Sequence, residues 1–444
     1  MTSEPAPNLA TPTPNPSPQG GGGLRRGACP GLSVPIPTGD GLLARLLPTA
    51  TIALDAFRRL CAAARQHGNG IIEITARGSL QVRGLSAAST IRFAETIAGL
   101  DIAAADGIPV LSNPLAGLDA DEILNASEIT AALRHALAKT PLPRHLAPKV
   151  SVIVDGGGML GLSNLAADVR LHAERGDEAP VFRIGVAGDQ TTAMALGTVE
   201  FDRAIEVTLR LLDVVCRSGH AARARDIVAA DAGAEFRATI ADFLIADPPA
   251  SASVRRSSDP IGEHPLRDGT VARGFGLAFS HADAATLTEL IEAAAAAGAI
   301  GLRAAPGRAL LIVGLTQEAA SSLAATAGRL GFVVRADDPR RFVFACAGAP
   351  VCSSAHIPAR ALAPRVAEIA APQLGPKFDI HISGCPKGCA HAKQAALTIV
   401  GTDEGCALVA DGNARGESFA LVAADKLPEA VEKFAARPNG DDHV

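Results

Sequence analysis

ALDAFRRLCAAARQHGNGIIEITARGSLQVRGL (residues 53–85) can be laid without a gap over DAATLTELIEAAAAAGAIGLRAAPGRALLIVGL (residues 283–315). The offset is 230 residues throughout, so that Gly68 meets Gly298 and Gly84 meets Gly314. In each copy apolar residues recur at helical spacing, then alternate through two short segments separated by a turn. The order helix, strand, turn, strand, helix is typical of a ferredoxin-like α+β half-domain. Its repetition predicts a pseudo-twofold duplication.

The rest of the chain is divided around these two copies. Residues 1–24 contain six prolines and a run of four glycines, a composition that predicts a disordered tail. The predicted fold class is α+β, a pseudo-twofold duplication of ferredoxin-like half-domains that are each followed by an α/β module. The predicted units are an N-terminal arm with the first half-domain (25–105), the first module (106–245), a linker (246–268), the second half-domain (269–336), the second module (337–435) and a flexible tail (436–444).

Four of the eight cysteines lie close together in the second module, in FACAGAPVCSSAH (344–356) and HISGCPKGCAHAK (381–393). Five residues separate Cys346 from Cys352, and three separate Cys385 from Cys389. Four thiolates complete the ligand set of a [4Fe–4S] cube. The alternative is structural zinc, but zinc sites usually space paired cysteines by about two to four residues, which the first pair does not match. We therefore predict an iron–sulfur cluster, with both pairs on loops at strand ends.

The composition argues against several other kinds of partner. The formal net charge is −5, and the chain has no Trp or Tyr, so we expect no nucleic-acid partner. No apolar run reaches the roughly 18 residues of a membrane span, and the N-terminus lacks the pattern of a secretory signal. We expect a cytoplasmic protein without a membrane partner, in which the grouped cysteines serve as metal ligands rather than disulfides.

The cysteine spacing and the triplet Thr75-Ala76-Arg77 resemble the sulfite and nitrite reductase superfamily, and the resemblance extends from about residue 25 to 435. It implies that the four clustered cysteines hold a [4Fe–4S] cluster. It also implies that the last of them, Cys389, touches the iron of sirohaem where sirohaem is present. The Thr-x-Arg segment would help to bind the carboxylates of a tetrapyrrole.

Four further stretches are similar to one branch of that superfamily, which acts in aerobic cobalamin synthesis. They are RRGACPGLSVPIPTGDGLLARL (25–46), NPLAGLDADE (113–122), VDGGGMLGLSNLAADVRL (154–171) and HISGCPKGCAH (381–391). The resemblance implies an oxidoreductase of the monooxygenase type, with precorrin-3A and O2 as substrates and a lactone in the product. It also implies a separate non-haem iron and an external electron donor that depends on NAD(P)H. The alternative is a sirohaem-dependent sulfite or nitrite reductase.

Two pairs of arginines are candidate contacts to a polycarboxylate ligand. Arg77 and Arg83 are predicted on one strand at an even spacing, so their side chains share a face. Guanidinium groups grip carboxylates bidentately, although Arg is also ordinary on a solvated edge strand. Arg25 and Arg26 precede GACPGL, and the arm that carries them either folds over the tetrapyrrole or is a tail with incidental charge.

A third candidate contact is Lys149, at the end of LPRHLAPK. Sulfite reductases carry two lysines in the comparable segment, but here the second position is Ser151. Many reductases also have Gln where this chain has Gly78. Both departures weaken the case for a small anionic substrate, whose reduction needs clustered cations.

The segment Gly156–Gly161 matches G-x-G-x-x-G, which also occurs in dinucleotide-binding loops. The surrounding pattern is not repeated βαβ, so we favour a loop against the tetrapyrrole face, with Asp155, Asn164 and Arg170 as candidate polar contacts. Near the cysteines, Lys387 offers a charge to the cluster or to a substrate carboxylate, or is simply exposed. The neighbouring histidines are candidate iron ligands, proton donors or hydrogen-bonding neighbours of the cluster, namely His356, His381 and His391.

A third hypothesis, from another class of function, is a tetrapyrrole carrier or iron–sulfur sensor without turnover. The duplication and the candidate cationic wall favour an enclosed pocket over a small sensor module.

Overall fold

The computed structural model describes residues 31–32, 34–246, 257–391 and 393–436. These residues form four sheets, two in each repeat. The predicted N-terminal tail, Arg25 and Arg26, and residues 437–444 lie outside this part of the chain.

The first half-domain is an antiparallel sheet covered by two helices. Ser86 and Ser89 start the second helix with a reciprocal capping box, in which each hydroxyl accepts a hydrogen bond from the other residue's N–H, at 3.0 and 2.9 Å. The strands run in the order β1-β2-β4-β3. The elements are β1 (Ile36–Thr38), β2 (Gly41–Leu46), α1 (Leu54–His67), β3 (Ile71–Ile74), β4 (Leu80–Leu85) and α2 (Ala87–Ala98).

The first α/β module has a five-stranded sheet in sequential order. Its first three strands are parallel and the rest antiparallel. Parallel neighbours place their carboxyl ends at one edge of the sheet, from which the connecting loops leave. The elements are β5 (Val110–Ser112), α3 (Ala126–Ala138), α4 (Leu142–His145), β6 (Val152–Asp155), β7 (Ala167–Arg175), β8 (Pro180–Gly188), β9 (Met194–Glu200), α5 (Ala204–Arg217), α6 (Ala224–Asp231) and α7 (Ala234–Ile240).

The second half-domain repeats the first, with the strand order β10-β11-β14-β13. Its elements are β10 (Gly262–Pro265), β11 (Val271–Gly276), β12 (His281–Asp283), α8 (Ala284–Ala296), β13 (Gly301–Ala305), β14 (Ala309–Leu315) and α9 (Gln317–Arg329). The predicted linker at 246–268 is therefore wrong at its C-terminal end, since β10 lies within it and pairs with β11. Pro265 ends this edge strand, where a missing N–H is tolerated. Residues 247–256 are not described.

The second α/β module has the same sheet order and the same strand directions as the first. Its elements are β15 (Val343–Ala345), α10 (Ala359–Ala370), β16 (Ile380–Ser383), β17 (Ala395–Thr402), β18 (Gly405–Gly412), β19 (Ala420–Val422) and α11 (Leu427–Ala435). The predicted duplication therefore extends through the modules as well as the half-domains.

The two half-domains exchange edge strands. Ala282 of β12 pairs with Ile72 of β3, and Ile52 forms an antiparallel bridge with Leu302 of β13. The repeat offset of 230 residues relates Ile52 to Ala282 and Ile72 to Leu302. The two pairs are therefore equivalent, and the exchange is reciprocal. Helices α1 and α8 contact each other, and buried residues of both half-domains, such as Phe57 and Leu310, belong to one apolar core. No helix in the described ranges is long and apolar enough to cross a membrane.

Candidate functional site

The two cysteine pairs lie on loops that leave the same edge of the second module's sheet. Cys346 directly follows β15, and Cys385 lies two residues after the end of β16. These strands are parallel neighbours, with Phe344 opposite His381. Their carboxyl ends therefore meet, and the loops that carry the four cysteines face one another.

The four thiols influence one another. Burial raises the pKa of Cys346, with a smaller contribution from Cys352 and Cys385, while the N–H of Gly384 donates to its Sγ at 3.0 Å and opposes the rise. Burial also raises the pKa of Cys389, and the other three cysteines add to the rise. Within the described ranges, no three His, Cys, Asp or Glu side chains have the spacing for a metal ion. Four cysteine thiols on two facing loops are the kind and number of ligands that a [4Fe–4S] cube takes.

The first half-domain lies directly against the cysteine loops. Gly39, in the turn between β1 and β2, accepts hydrogen bonds from the N–H and the hydroxyl of Ser353, at 2.9 and 3.0 Å. A Cβ atom on Gly39 would lie 2.2 Å from Sγ of Cys352. Lys387 is exposed and donates to the hydroxyl of Ser354 at 2.8 Å, so it ties the two cysteine loops together.

A cleft with a basic wall begins at these cysteines. A cavity of about 460 Å³ is lined by Cys346 and Cys389 together with Arg45, Arg83, Arg308, His391 and Lys393. An adjoining cavity of about 490 Å³ is lined by Arg45, Arg77, Lys149 and Arg223. The cavities share Arg45, Thr75 and Ala76. Together they form an elongated cleft of the size range that binds organic ligands, with positive charge suited to carboxylates.

Arg77 and Arg83 do not share a strand face, so that prediction is wrong. Strand β3 ends at Ile74, because the hydroxyl of Thr75 accepts from the N–H of Ser79 at 3.0 Å and closes a turn that contains Arg77. In that turn, Arg77 lines the larger cavity. Arg83 lies on β4 and is held by two carboxylates, with its Nη2 2.7 Å from Asp40 and its Nη1 3.3 Å from Glu73. It therefore supports the wall of the cleft through a buried ion-pair network.

The remaining sequence-predicted contacts fall into two groups. Lys149 lines the larger cavity beside Ser151, whereas Asn164 is exposed at a separate cavity of about 360 Å³. Arg170 is only 4% exposed and donates to the carbonyls of Leu162 and Leu165. The prediction that Arg170 contacts a ligand is therefore wrong, because its guanidinium donates to the protein's own backbone carbonyls.

The glycine-rich loop is fixed from within. Asp155 accepts hydrogen bonds from the N–H groups of Gly157 and Leu162, at 3.0 and 2.9 Å, and from the Asn113 amide at 2.8 Å. The next regular element is the strand β7 rather than a helix. The loop therefore lacks the helix N-terminus that dinucleotide-binding loops use, which argues against that interpretation.

Three histidines near the cysteines have different surroundings. His381 is fully buried on β16, and neither ring nitrogen has a hydrogen-bond partner in the described ranges. Burial, followed by the charges of His391 and Arg308, lowers the pKa of His381 to about 3. His391 stacks on Phe344, with ring centroids 4.5 Å apart, and lines the smaller cavity. His356 pairs with Asp403 at 2.9 Å.

Sequence reasoning missed Arg308. This residue lies in the turn between β13 and β14 with a φ of +64°, and its guanidinium is 4.4 Å from the ring centre of Phe344. Burial lowers the pKa of Arg308 to about 10. By the repeat offset its counterpart is Gly78, which has a φ of +82°. An arginine at a turn position that glycine occupies in the other copy was the signal available in the sequence.

Comparison with known proteins decides the family. The pattern of the nitrite/sulfite reductase ferredoxin-like half domain matches residues 36–98. A precorrin-3B synthase from Sinorhizobium sp is 39% identical over 421 residues, which cover 94% of this chain and 90% of that protein. The chain belongs to the precorrin-3B synthase family. The resemblance and the fold class predicted from the sequence are thus confirmed.

A more distant relative of this precorrin-3B synthase family member is a sulfite reductase, and a solved structure shares its fold. A sulfite reductase [ferredoxin] from Mycobacterium tuberculosis is 25% identical over 321 residues, 66% of this chain and 56% of that protein. The structure of the NirA protein of Mycobacterium tuberculosis superposes with a TM-score of 0.70 and 20% sequence identity, covering 90% of this chain and 82% of that one. This structural likeness shows the fold alone.

Proposed function

We propose that this chain is a precorrin-3B synthase that uses O2 to hydroxylate precorrin-3A, with formation of a lactone, in aerobic cobalamin biosynthesis. The observation that carries the proposal is the position of the cysteine loops at one end of a basic cleft. The identity of 39% to a precorrin-3B synthase over nearly the whole chain supports it.

The residues that would hold a [4Fe–4S] cluster are Cys346, Cys352, Cys385 and Cys389. Three observations fit such a group. The thiols affect one another's pKa, the N–H of Gly384 donates to one sulfur, and Gly39 leaves room for another. When bound, the cluster supplies electrons one at a time. Among the described residues no ligand set for a separate non-haem iron is evident, so the proposal assigns that iron to no side chain.

The basic wall would bind and orient the substrate. Precorrin-3A carries carboxylates around its edge, and arginine binds carboxylates with paired hydrogen bonds. Arg45, Arg77 and Arg308 lie along the two joined cavities, with Lys149 further out. Carboxylates held at these points would place one edge of the macrocycle beside Cys389. The partial burial of Arg308 strengthens such contacts because it excludes water.

The electron balance requires a donor. One oxygen atom of O2 enters the macrocycle and the other leaves as water, which takes two electrons and two protons. The new carbon–oxygen bond of the lactone comes from an acetate side chain of the substrate itself. No nicotinamide site is evident in the described ranges, since the glycine loop is followed by β7. We therefore propose an external NAD(P)H-dependent partner.

The test is turnover under defined gas. Protein reconstituted with iron and sulfide is mixed anaerobically with precorrin-3A and a reduced donor, and ¹⁸O2 is then admitted. The expected product is heavier than the substrate by one oxygen atom that carries the label. An intact cluster that gives no oxygenated product would overturn the proposal.

The second candidate is a sirohaem-dependent sulfite or nitrite reductase, favoured by the match to a mycobacterial sulfite reductase. It predicts purified protein with sharp tetrapyrrole absorption and reduction of a small anion. Ser151 follows Lys149 on the cavity wall where the reductases have a second lysine, which argues against it. A visible spectrum with only broad iron–sulfur absorption favours the first candidate.

A further inference from the structure

A small cavity of about 50 Å³ lies beside the substrate cleft, and its wall contains three arginines. Arg134 reaches it from α3, Arg303 from β13, and Arg77 from the turn after β3. Ser127 and Asn113 are among its polar neighbours. In the described ranges no Asp or Glu lines this cavity. Three guanidinium groups therefore meet at one small cavity whose described lining contains no carboxylate.

Arg303 is anchored so that its charge faces no acid. Its Nε donates to the hydroxyl of Thr51 at 2.8 Å, and its Nη1 donates to the carbonyls of Pro114 and Ala116 at 3.1 and 2.8 Å. Within the described residues, it forms no ion pair. Burial lowers the pKa of Arg303 to about 10, and the more distant charge of Glu122 opposes this only in part.

Arg134 lines the same cavity and has one donor without a partner in the described part of the chain. One of its terminal nitrogens donates to the carbonyl of Val110. Its Nε is shielded from solvent and has no hydrogen-bond partner in the described part of the chain. Burial alone lowers the pKa of Arg134 to about 10. A buried donor without an acceptor is costly, so an acceptor that belongs to a ligand would satisfy it.

The duplication provides an internal comparison. The repeat offset places Arg303 where the first half-domain has Glu73. Glu73 pairs with Arg83 at 3.3 Å and with Arg360 at 3.0 Å, and Asp40 supplies a second carboxylate to Arg83. In that copy the guanidinium charges are compensated by protein carboxylates. In the other copy an arginine stands at the position of the acid, and no described carboxylate lines the cavity.

We propose that this cavity binds one small inorganic anion, of the size of chloride, phosphate or sulfate, between Arg134 and Arg303. The volume suits such an ion and not a macrocycle, since about 10–15 Å³ of space of this kind is enough for one water. The ion would accept the unused donor of Arg134 and compensate the charge of both arginines. Because Arg77 lines both this cavity and the substrate cleft, the bound ion also fixes the electrostatics of the cleft wall.

The test is anion-dependent thermal unfolding of the full-length protein. Sodium chloride, phosphate and sulfate are compared with sodium gluconate, a bulkier anion, at equal ionic strength. At least one small anion is expected to raise the Tm in a saturable manner. Arg134→Gln is expected to weaken the apparent affinity about tenfold or more, whereas Arg329→Gln, an exposed position on α9, retains it.

Equal Tm values in all four salts, or an undiminished rise in Arg134→Gln, would overturn the proposal. If Arg134→Gln does not fold, wild-type crystals grown in sodium bromide decide the question by anomalous scattering. A bromide peak between Arg134 and Arg303 supports the site, and its absence there rejects it.

Discussion

Gly39 leaves room for the sulfur of Cys352, since a Cβ atom at position 39 would lie only 2.2 Å from Sγ. The two residues belong to opposite ends of the chain and meet because the first half-domain packs on the module that carries the cysteines. Ser353 reinforces the contact with two hydrogen bonds to the Gly39 carbonyl. The geometry of the proposed cluster ligands therefore depends on the docking of the N-terminal hairpin.

Gly39→Ala should disturb the cluster site without unfolding the protein. The added methyl group forces Cys352 or the turn to move, and misplaced ligands typically weaken metal retention about tenfold. Iron and acid-labile sulfide per chain, measured after a chelator challenge, should fall well below the wild-type values. Gly375→Ala is the matched control, because a Cβ there meets nothing within 4 Å. Equal iron retention in both variants would contradict the prediction.

Asp40→Asn should destabilise the protein by about 3 kcal/mol at pH 7, because it breaks a buried pair. The side chains of Asp40 and Arg83 are 0% and 9% exposed. Burial alone would raise the pKa of Asp40, but the hydrogen bond and charge of Arg83 outweigh it and lower the pKa. The carboxylate thus contributes stability above about pH 4, and this contribution disappears as the pH falls through the folded-state pKa.

Urea unfolding at several pH values measures this difference. The gap in unfolding free energy between wild type and Asp40→Asn should be largest near neutral pH and should narrow in acid. Asp337→Asn serves as the control, since Asp337 pairs with Arg335 on the surface and should change little. A gap that stays constant down to pH 3 would show that the ion pair is not its source.

The duplication was predictable because its signal is local. Residues 53–85 and residues 283–315 each show the apolar spacing of the helix and strands that they form. The two copies align at one constant offset, so the same pattern is visible twice. The cysteine loops were predictable for the same reason, since ligand spacing within a loop is fixed by the sequence. What the offset could not reveal was the exchange of strands, in which Ala282 pairs with Ile72. That pairing depends on two distant segments meeting.

The basic wall of the cleft was predicted less well than the cysteine loops. The even spacing of Arg77 and Arg83 predicts that both lie on one continuous strand, but Gly78 has a φ of +82° and turns the chain between them. Asp40, which neutralises Arg83, lies 43 residues earlier in the sequence. A single sequence gives no sign of such a partner. For the same reason, Arg308 became visible only when the fold brought its turn to Phe344.

Cys346→Ser should abolish the cluster. Its sulfur accepts the N–H of Gly384 and lies among the other three thiols, and serine offers a harder ligand that suits iron–sulfur clusters poorly. Iron, sulfide and the broad visible absorption should fall to background after anaerobic reconstitution. Cys216→Ser, on α5 and far from the cysteine loops in the fold, should reconstitute normally. Full reconstitution of Cys346→Ser would remove that cysteine from the ligand set.

Arg308→Gly should separate ligand binding from stability. The left-handed backbone of Arg308, with a φ of +64°, costs roughly 1–3 kcal/mol for a residue with a side chain, and glycine relieves it. The loss of the contact with Phe344 costs a comparable amount, about 2 kcal/mol at a desolvated site. The two effects offset each other, so the Tm should change little, whereas the cleft loses a buried cation beside the cysteine loops.

Removal of one partner from a desolvated charge pair costs about 2–5 kcal/mol of binding free energy, which corresponds to a rise in Kd of about thirtyfold or more. Anaerobic titration with precorrin-3A, followed by the absorption of the tetrapyrrole, measures the Kd of wild type and Arg308→Gly. The control is Arg335→Gly, an exposed position outside the helices and strands that pairs with Asp337. Arg365→Gly would not serve as a control, because glycine there would disrupt helix α10. Unchanged affinity in Arg308→Gly would mean that no substrate carboxylate contacts this guanidinium, and the ring would then have to bind further along the wall, towards Arg77 and Lys149.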